Sequence, residues 1–158
     1  MASLLKRATC AAAVLALAGL AEAQSTSSQV DIGGVKLEAL QAQTLSPGRC
    51  GLFLWSRSER PVFIMFATEA PAEATVRIGG RNRQLARKVT SGERVFGHFE
   101  KQTFANGQYS LEVDLTYDTS RPIQDGAIIK QGVMRTVDKK GFATVLPVGG
   151  MIGCQKAA

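Results

Sequence analysis

The stretch Asn106-Gly107-Gln108-Tyr109-Ser110-Leu111-Glu112-Val113-Asp114-Leu115-Thr116-Tyr117 decides the fold class. Tyr109, Leu111, Val113, Leu115 and Tyr117 fall on one side of an extended chain, and Ser110, Glu112, Asp114 and Thr116 fall on the other. A period of two marks a strand with one buried and one wet face. Asn106-Gly107 suits the two positive-φ positions of a type I′ turn, so a hairpin is expected there.

Strand signals recur on both sides of this stretch. Downstream, Ala127 to Val137 leads into Asp138-Lys139-Lys140-Gly141, a three-residue hairpin turn with glycine at the left-handed position, and Phe142 to Pro147 returns. Gly132 inside the outgoing strand indicates a bulge or kink. A glycine-rich segment, Gly149 to Gly153, precedes Cys154. Upstream, Val35 to Leu40 alternates, and Ser46-Pro47-Gly48 reads as a turn. Gly51 to Ser56 and Pro61 to Ala67 are apolar on both faces and short, which indicates central strands buried on both sides. Ala74 to Ile78 is a further strand, closed by Gly79-Gly80. Arg83 to Val89 fits a strand or one helical turn, and Arg94 to Phe99 fits a strand.

Beyond the N-terminal segment, no run of eleven residues carries a 3.6-residue apolar period. About eight short strands with frequent turns indicate an all-β, antiparallel β-sandwich, immunoglobulin-like or similar. A small β-barrel is the alternative. There is no internal repeat, low-complexity tract or interdomain linker.

The N-terminus has the layout of a cleavable export signal. Lys6 and Arg7 precede an apolar run from Ala8 to Ala21, and Ala21-Glu22-Ala23 places small residues where signal peptidase requires them. The run is shorter than the roughly 20 residues a spanning helix needs, so no membrane span is expected after cleavage. The expected organisation is a signal over residues 1–23, a disordered polar lead over 24–29 and a single β domain over 30–158. Cleavage removes two cations and one carboxylate, leaving a net charge of +5 on 135 residues. Localisation is then periplasmic or secreted. Two cysteines remain, Cys50 and Cys154, and in an exported domain they pair most simply as a disulfide. No CxxC or haem-attachment motif is present, and His98 is the only histidine, so neither a metal site nor a cofactor is expected.

Three clusters carry candidate chemistry. Glu112 and Asp114 share a strand face at a spacing of roughly 6–7 Å, within the general range of paired catalytic carboxylates. A wet strand face, however, lacks the cleft that raises one pKa. His98 shares a face with Phe96 and Glu100 and fits either a carboxylate-supported base or a rim histidine. Arg77, Arg81, Arg83, Arg87 and Lys88 lie within twelve residues across a hairpin, with no acid between them. They fit either an anion-binding patch or a charged edge that blocks unwanted strand pairing. Trp55, close to Arg57 and Arg60, fits a ligand-stacking surface or a buried strand-end residue.

The expectation is a non-catalytic exported domain that binds an envelope protein or an anionic lipid or glycan. The alternatives are a small hydrolase or transferase using the acidic pair or His98, and an inhibitor of a lytic enzyme or protease presenting the loop Thr119 to Gly126. Nucleic acid is not an expected partner, because export removes it and no aromatic platform interleaves the arginines.

Overall fold

The computed structural model describes residues 28–118, 120, 123–137 and 143–157. The expected export signal over residues 1–23, residues 24–27 of the expected lead and the expected turn over 138–141 lie outside them, as does part of the Thr119–Gly126 loop. Ten strands are described. They are β1 (Gln29–Ile32), β2 (Val35–Glu38), β3 (Cys50–Ser56), β4 (Phe63–Glu69), β5 (Ala72–Ile78), β6 (Arg81–Val95), β7 (His98–Ala105), β8 (Ser110–Tyr117), β9 (Gly126–Val137) and β10 (Ala143–Cys154).

The all-β expectation holds, but the architecture is the barrel and not the sandwich. From β3 to β10 each strand pairs antiparallel with the next. The last strand then returns to the first, in register from Ser56↔Val148 to Cys50↔Cys154. The result is a closed eight-stranded meander. A single sheet that closes on itself buries one face without needing a second layer.

The interior follows the alternation of each strand. Leu52 and Leu54, Met65 and Ala67, Ala74 and Val76, Leu85, Phe104, Leu111 and Val113, Met134, and Val148 and Ile152 are all fully buried. Eight strands enclose a space that such side chains fill. Gly132 is small for this reason. A Cβ there would lie 2.8 Å from Leu115 Cδ2 and 3.0 Å from Val148 Cγ2. The irregularity expected near it is present, since the β8–β9 register shifts between Thr116 and Tyr117 and the β9–β10 register between Val148 and Gly150.

The hairpin β1–β2 closes one end of the barrel. It joins the sheet at Glu38↔Arg77, sends the fully buried Ile32 and Leu37 into the core and presses its Gly33 turn against Thr136 and Thr144. β1 is a strand that the disordered-lead reading had cut into, because Gln29 opens it.

Several turns differ from expectation in their chemistry. Gly33-Gly34 and Gly79-Gly80 take the paired positive φ angles of two-residue hairpins, at 58° and 80° and at 60° and 72°. Asn106-Gly107 does not. There the Asn106 side chain does the work, its Oδ1 accepting from the backbone N–H groups of Gln108 and Tyr109 at 2.9 Å each. Arg94 to Phe99 is not one strand, because Phe96 and Gly97 turn at φ 46° and 83° and reverse the chain. Arg83 to Val89 is strand throughout, within the 15-residue β6. The glycine-rich tail is no tail either, since Gly149 to Gly153 form the centre of the closing strand.

Cys50 and Cys154 face each other as a register pair at the end of the closure seam and are disulfide-bonded, with Cα atoms 4.0 Å apart. The bridge therefore ties the first barrel strand to the last, across a separation of 104 residues.

Two outcomes follow for stability. Replacing both cysteines by serine should lower unfolding stability in urea by about 4–5 kcal/mol on the chain-entropy account of a loop this long. Gly150→Ala should destabilise by about 1–3 kcal/mol, because a Cβ would sit 1.9 Å from the Phe53 carbonyl oxygen and force the seam apart. Gly107→Ala, where a Cβ meets nothing within 4 Å, should be close to neutral in the same titration.

Candidate binding surface

The two strands that flank the seam carry large apolar groups on both faces. In β3, Leu52 and Leu54 point inward, while Phe53 and Trp55 point outward and are half-buried. Their outward neighbours are Phe66 and Phe63 on β4 and Met151 on β10. Phe53 lies 5.0 Å from Phe66, 6.1 Å from Phe63 and 6.4 Å from Trp55, centroid to centroid, and Trp55 lies 4.9 Å from Phe63. These separations are those of interacting aromatic pairs. The segment between β2 and β3 covers part of the cluster, with Leu45 close to Gly51 beside Phe66. Along β10 the wall continues as Met151, 39% exposed, the exposed Pro147 and Val145, 49% exposed.

Burial on both faces holds for Ile64 to Ala67 of β4 and is corrected for Phe53, Trp55 and Phe63, whose outward side chains are half-buried. Trp55 is neither a core residue nor an isolated platform but one member of an aromatic wall. Phe53, Phe63 and Met151 were missed because a doubly apolar strand reads as a buried one.

At one edge of the wall, Arg57 lies across β10. A Cβ on Gly149 would come within 2.9 Å of its Nε, and its Nη2 donates to the Lys130 carbonyl. It borders an open depression of about 380 Å³ lined also by Asp114, Thr116, Gln131, Gly132, Val133 and Pro147.

The outer face of β7, β8 and β9, which adjoins the wall along β10, has a different character. Lys101 and Asp114 are register partners on β7 and β8 and pair at 3.2 Å, and Glu112 pairs with Arg135 on β9 at 3.5 Å. The acidic pair thus lies on the outer wall, each carboxylate beside a cation, with Asp114 at the open depression that Arg57 borders.

The basic cluster is divided. Arg77 pairs with Glu38 at 3.3 Å. Arg83, Leu85 and Arg87 alternate along the inward side of β6, with Arg83 Nε buried. Arg87 donates to the Gly97 carbonyl at 3.0 Å and to Gln102 Oε1 at 3.1 Å. Arg81 and Lys88 are exposed. The five cations are not brought onto one face.

His98 is fully buried, at the barrel end opposite the β1–β2 hairpin. Its ring nitrogens make no hydrogen bond of good geometry, with the Cys50 backbone as the polar group in reach, and Gln102 Nε2, further along β7, is unpartnered. Burial, and then the Arg87 guanidinium, push its pKa down to about 4, against a weak opposing effect of the Cys50 backbone. Burial also lowers the pKa of Arg87 and raises that of the Tyr117 phenol, whose hydroxyl donates to the Phe99 carbonyl. Two guanidiniums, Arg87 and Arg94, lie 5.5 and 5.9 Å from the Phe99 ring centroid. Among the described residues, no group of three or more His, Cys, Asp or Glu side chains is placed to hold a metal ion.

Comparisons with protein-family models, with curated proteins and with solved structures return no match.

The buried imidazole sets a pH dependence. Its folded pKa of about 4 lies below the ordinary value of 6.5, so the unfolded chain takes up a proton that the folded chain refuses. Its contribution is intact above pH 6.5 and is lost as pH falls from 6.5 to 4, by on the order of 3 kcal/mol. Urea titrations at pH 7 and pH 5 should show a loss of stability in the parent protein that His98→Leu does not share.

Proposed function

We propose that this chain is an exported, non-catalytic domain that binds a partner protein through the aromatic wall of β3, β4 and β10. The observation that carries the reading is the outward cluster of Phe53, Trp55 and Phe63, continued by Met151 and Val145. Contiguous apolar surface on a water-facing barrel marks an interaction site, and Trp and Phe side chains concentrate interface energy. The contrast with the ion-paired outer face of β7, β8 and β9 supports it. The disulfide at the seam suits an oxidising compartment, in keeping with the export signal read at residues 1–23.

A protein partner is preferred to an anionic lipid or glycan. Arg77 is held by Glu38, and Arg87 by Gly97 and Gln102, so only part of the cationic cluster is free to meet an anion. A catalytic role would need an accessible base, and the candidates are a buried, neutral His98 and two ion-paired surface carboxylates.

The test is an affinity capture from envelope extract with the oxidised domain, in low and in high salt. Trp55→Ser combined with Phe63→Ser should reduce recovery of a salt-resistant partner at least tenfold, a loss of about 1.4 kcal/mol or more, and leave the fold intact by circular dichroism. Equal recovery by both proteins would sink the wall as the binding face. Retention of salt-labile anionic material alone, lost on Arg81→Ala with Lys88→Ala, would shift the assignment to electrostatic capture.

A further inference from the structure

Among the described residues, β1 is paired along one side only. The barrel strands are closed on one another, and β1 ends the sheet order with β2 as its single neighbour. Which backbone groups it leaves open follows from its register. Ala39 N–H donates to the Ser28 carbonyl at 2.9 Å, and Gln29↔Glu38, Val30↔Leu37 and Asp31↔Lys36 follow in order. Bonded and non-bonded pairs alternate in an antiparallel ladder. Ser28, Val30 and Ile32 therefore turn their N–H and C=O groups to β2, and Gln29 and Asp31 turn theirs away.

Those open groups face a groove. It has a volume of about 720 Å³, with Ser28, Gln29, Val30 and Asp31 on one side and Ser58, Glu59, Arg60 and Val62 on the other. Four extended residues span about 13 Å, so the edge matches a short peptide stretch. The walls carry Asp31 and Glu59 together with Arg60, a mixed field that selects no anion or cation. What the groove offers is a row of main-chain donors and acceptors, and the chemistry that answers it is another main chain.

We propose that the open edge of β1 takes an extended peptide segment of the partner protein, added to the sheet as a further strand. This rests on the partner-binding reading and names the form of the partner. The far wall of the groove is the turn Arg57–Val62, which joins Trp55 on β3 to Phe63 on β4. A strand leaving the groove over this turn arrives at the aromatic wall, so main-chain bonds supply the pairing and an apolar residue at one end anchors on Trp55 and Phe63. The wall of residues 58–62 also selects the occupant. A lone strand enters between it and β1, whereas the β1 of a second copy carries its own β2 and barrel and does not.

The probe is a random heptapeptide display library panned on the oxidised full-length mature protein. Gln29→Pro removes an N–H that points away from β2 and sets a ring on the open edge, a position where strands tolerate proline. The selected peptides should carry an aromatic or large aliphatic end residue and bind Gln29→Pro about tenfold or more weakly, as expected for lost main-chain bonds. The thermal midpoint of Gln29→Pro should be unchanged. N-methylation of the peptide backbone should weaken binding at alternate residues only. Peptides that lose affinity to Trp55→Ser but not to Gln29→Pro would keep the wall as the binding face and remove the strand edge. A parent protein that sediments as a dimer, made monomeric by Gln29→Pro, would assign the edge to self-association and overturn the proposal. So would a library that yields no binder.

Discussion

The pairing of β3 with β10 is the constraint on which the rest of the structure depends. The seven other pairings of the barrel join strands that follow one another in the chain. The β3–β10 junction joins segments a hundred residues apart in the chain and has to overcome the loop-closure entropy that the local turns avoid. Two features make it form. Gly150 lets the two backbones lie close where it meets the Phe53 carbonyl. The Cys50–Cys154 bridge then fixes the end of the seam. Without closure, the inward row of Leu52, Leu54, Val148 and Ile152 would lie at two open sheet edges and lose its burial.

Closure also determines the character of the surface. A closed sheet hides one face only, so any apolar side chain pointing the other way is exposed unless a loop covers it. The segment between β2 and β3 covers Phe66 through Leu45, while Phe53, Trp55 and Phe63 stay half-buried and Met151 exposed. The binding wall is in this sense a product of the seam: the strands that most need apolar, close-packing residues to close the barrel are those that carry the aromatic cluster. Away from the seam, the outer faces of β7, β8 and β9 carry paired charges, and the interior is lined by their alternate residues. The two barrel ends differ too. One is stopped by Ile32 and Leu37 of the β1–β2 hairpin, and the other holds the buried His98, whose lowered pKa makes it the less stable end at acid pH.

The alternation from Tyr109 to Tyr117, the glycine pair at 79–80 and the absence of helical periodicity are local signals, and local hydrogen-bonding geometry is enough to decode them. They made the all-β class and several of its turns legible from the sequence by itself, as residue type and spacing did for the solvent-side acidic pair and the cysteine pairing. What it did not determine is whether the sheet closes, which way the doubly apolar strands face and whether the five basic residues share a surface. Sandwich and barrel use the same alternating strands, and they differ in one long-range pairing that no local pattern encodes. Once β10 meets β3, that pairing turns Phe53 and Trp55 outward, turns Arg83 and Arg87 to the inward side of β6, buries His98 and leaves β1 as the open edge. The tertiary structure decided these because each depends on what lies across the barrel, and not on what lies next along the chain.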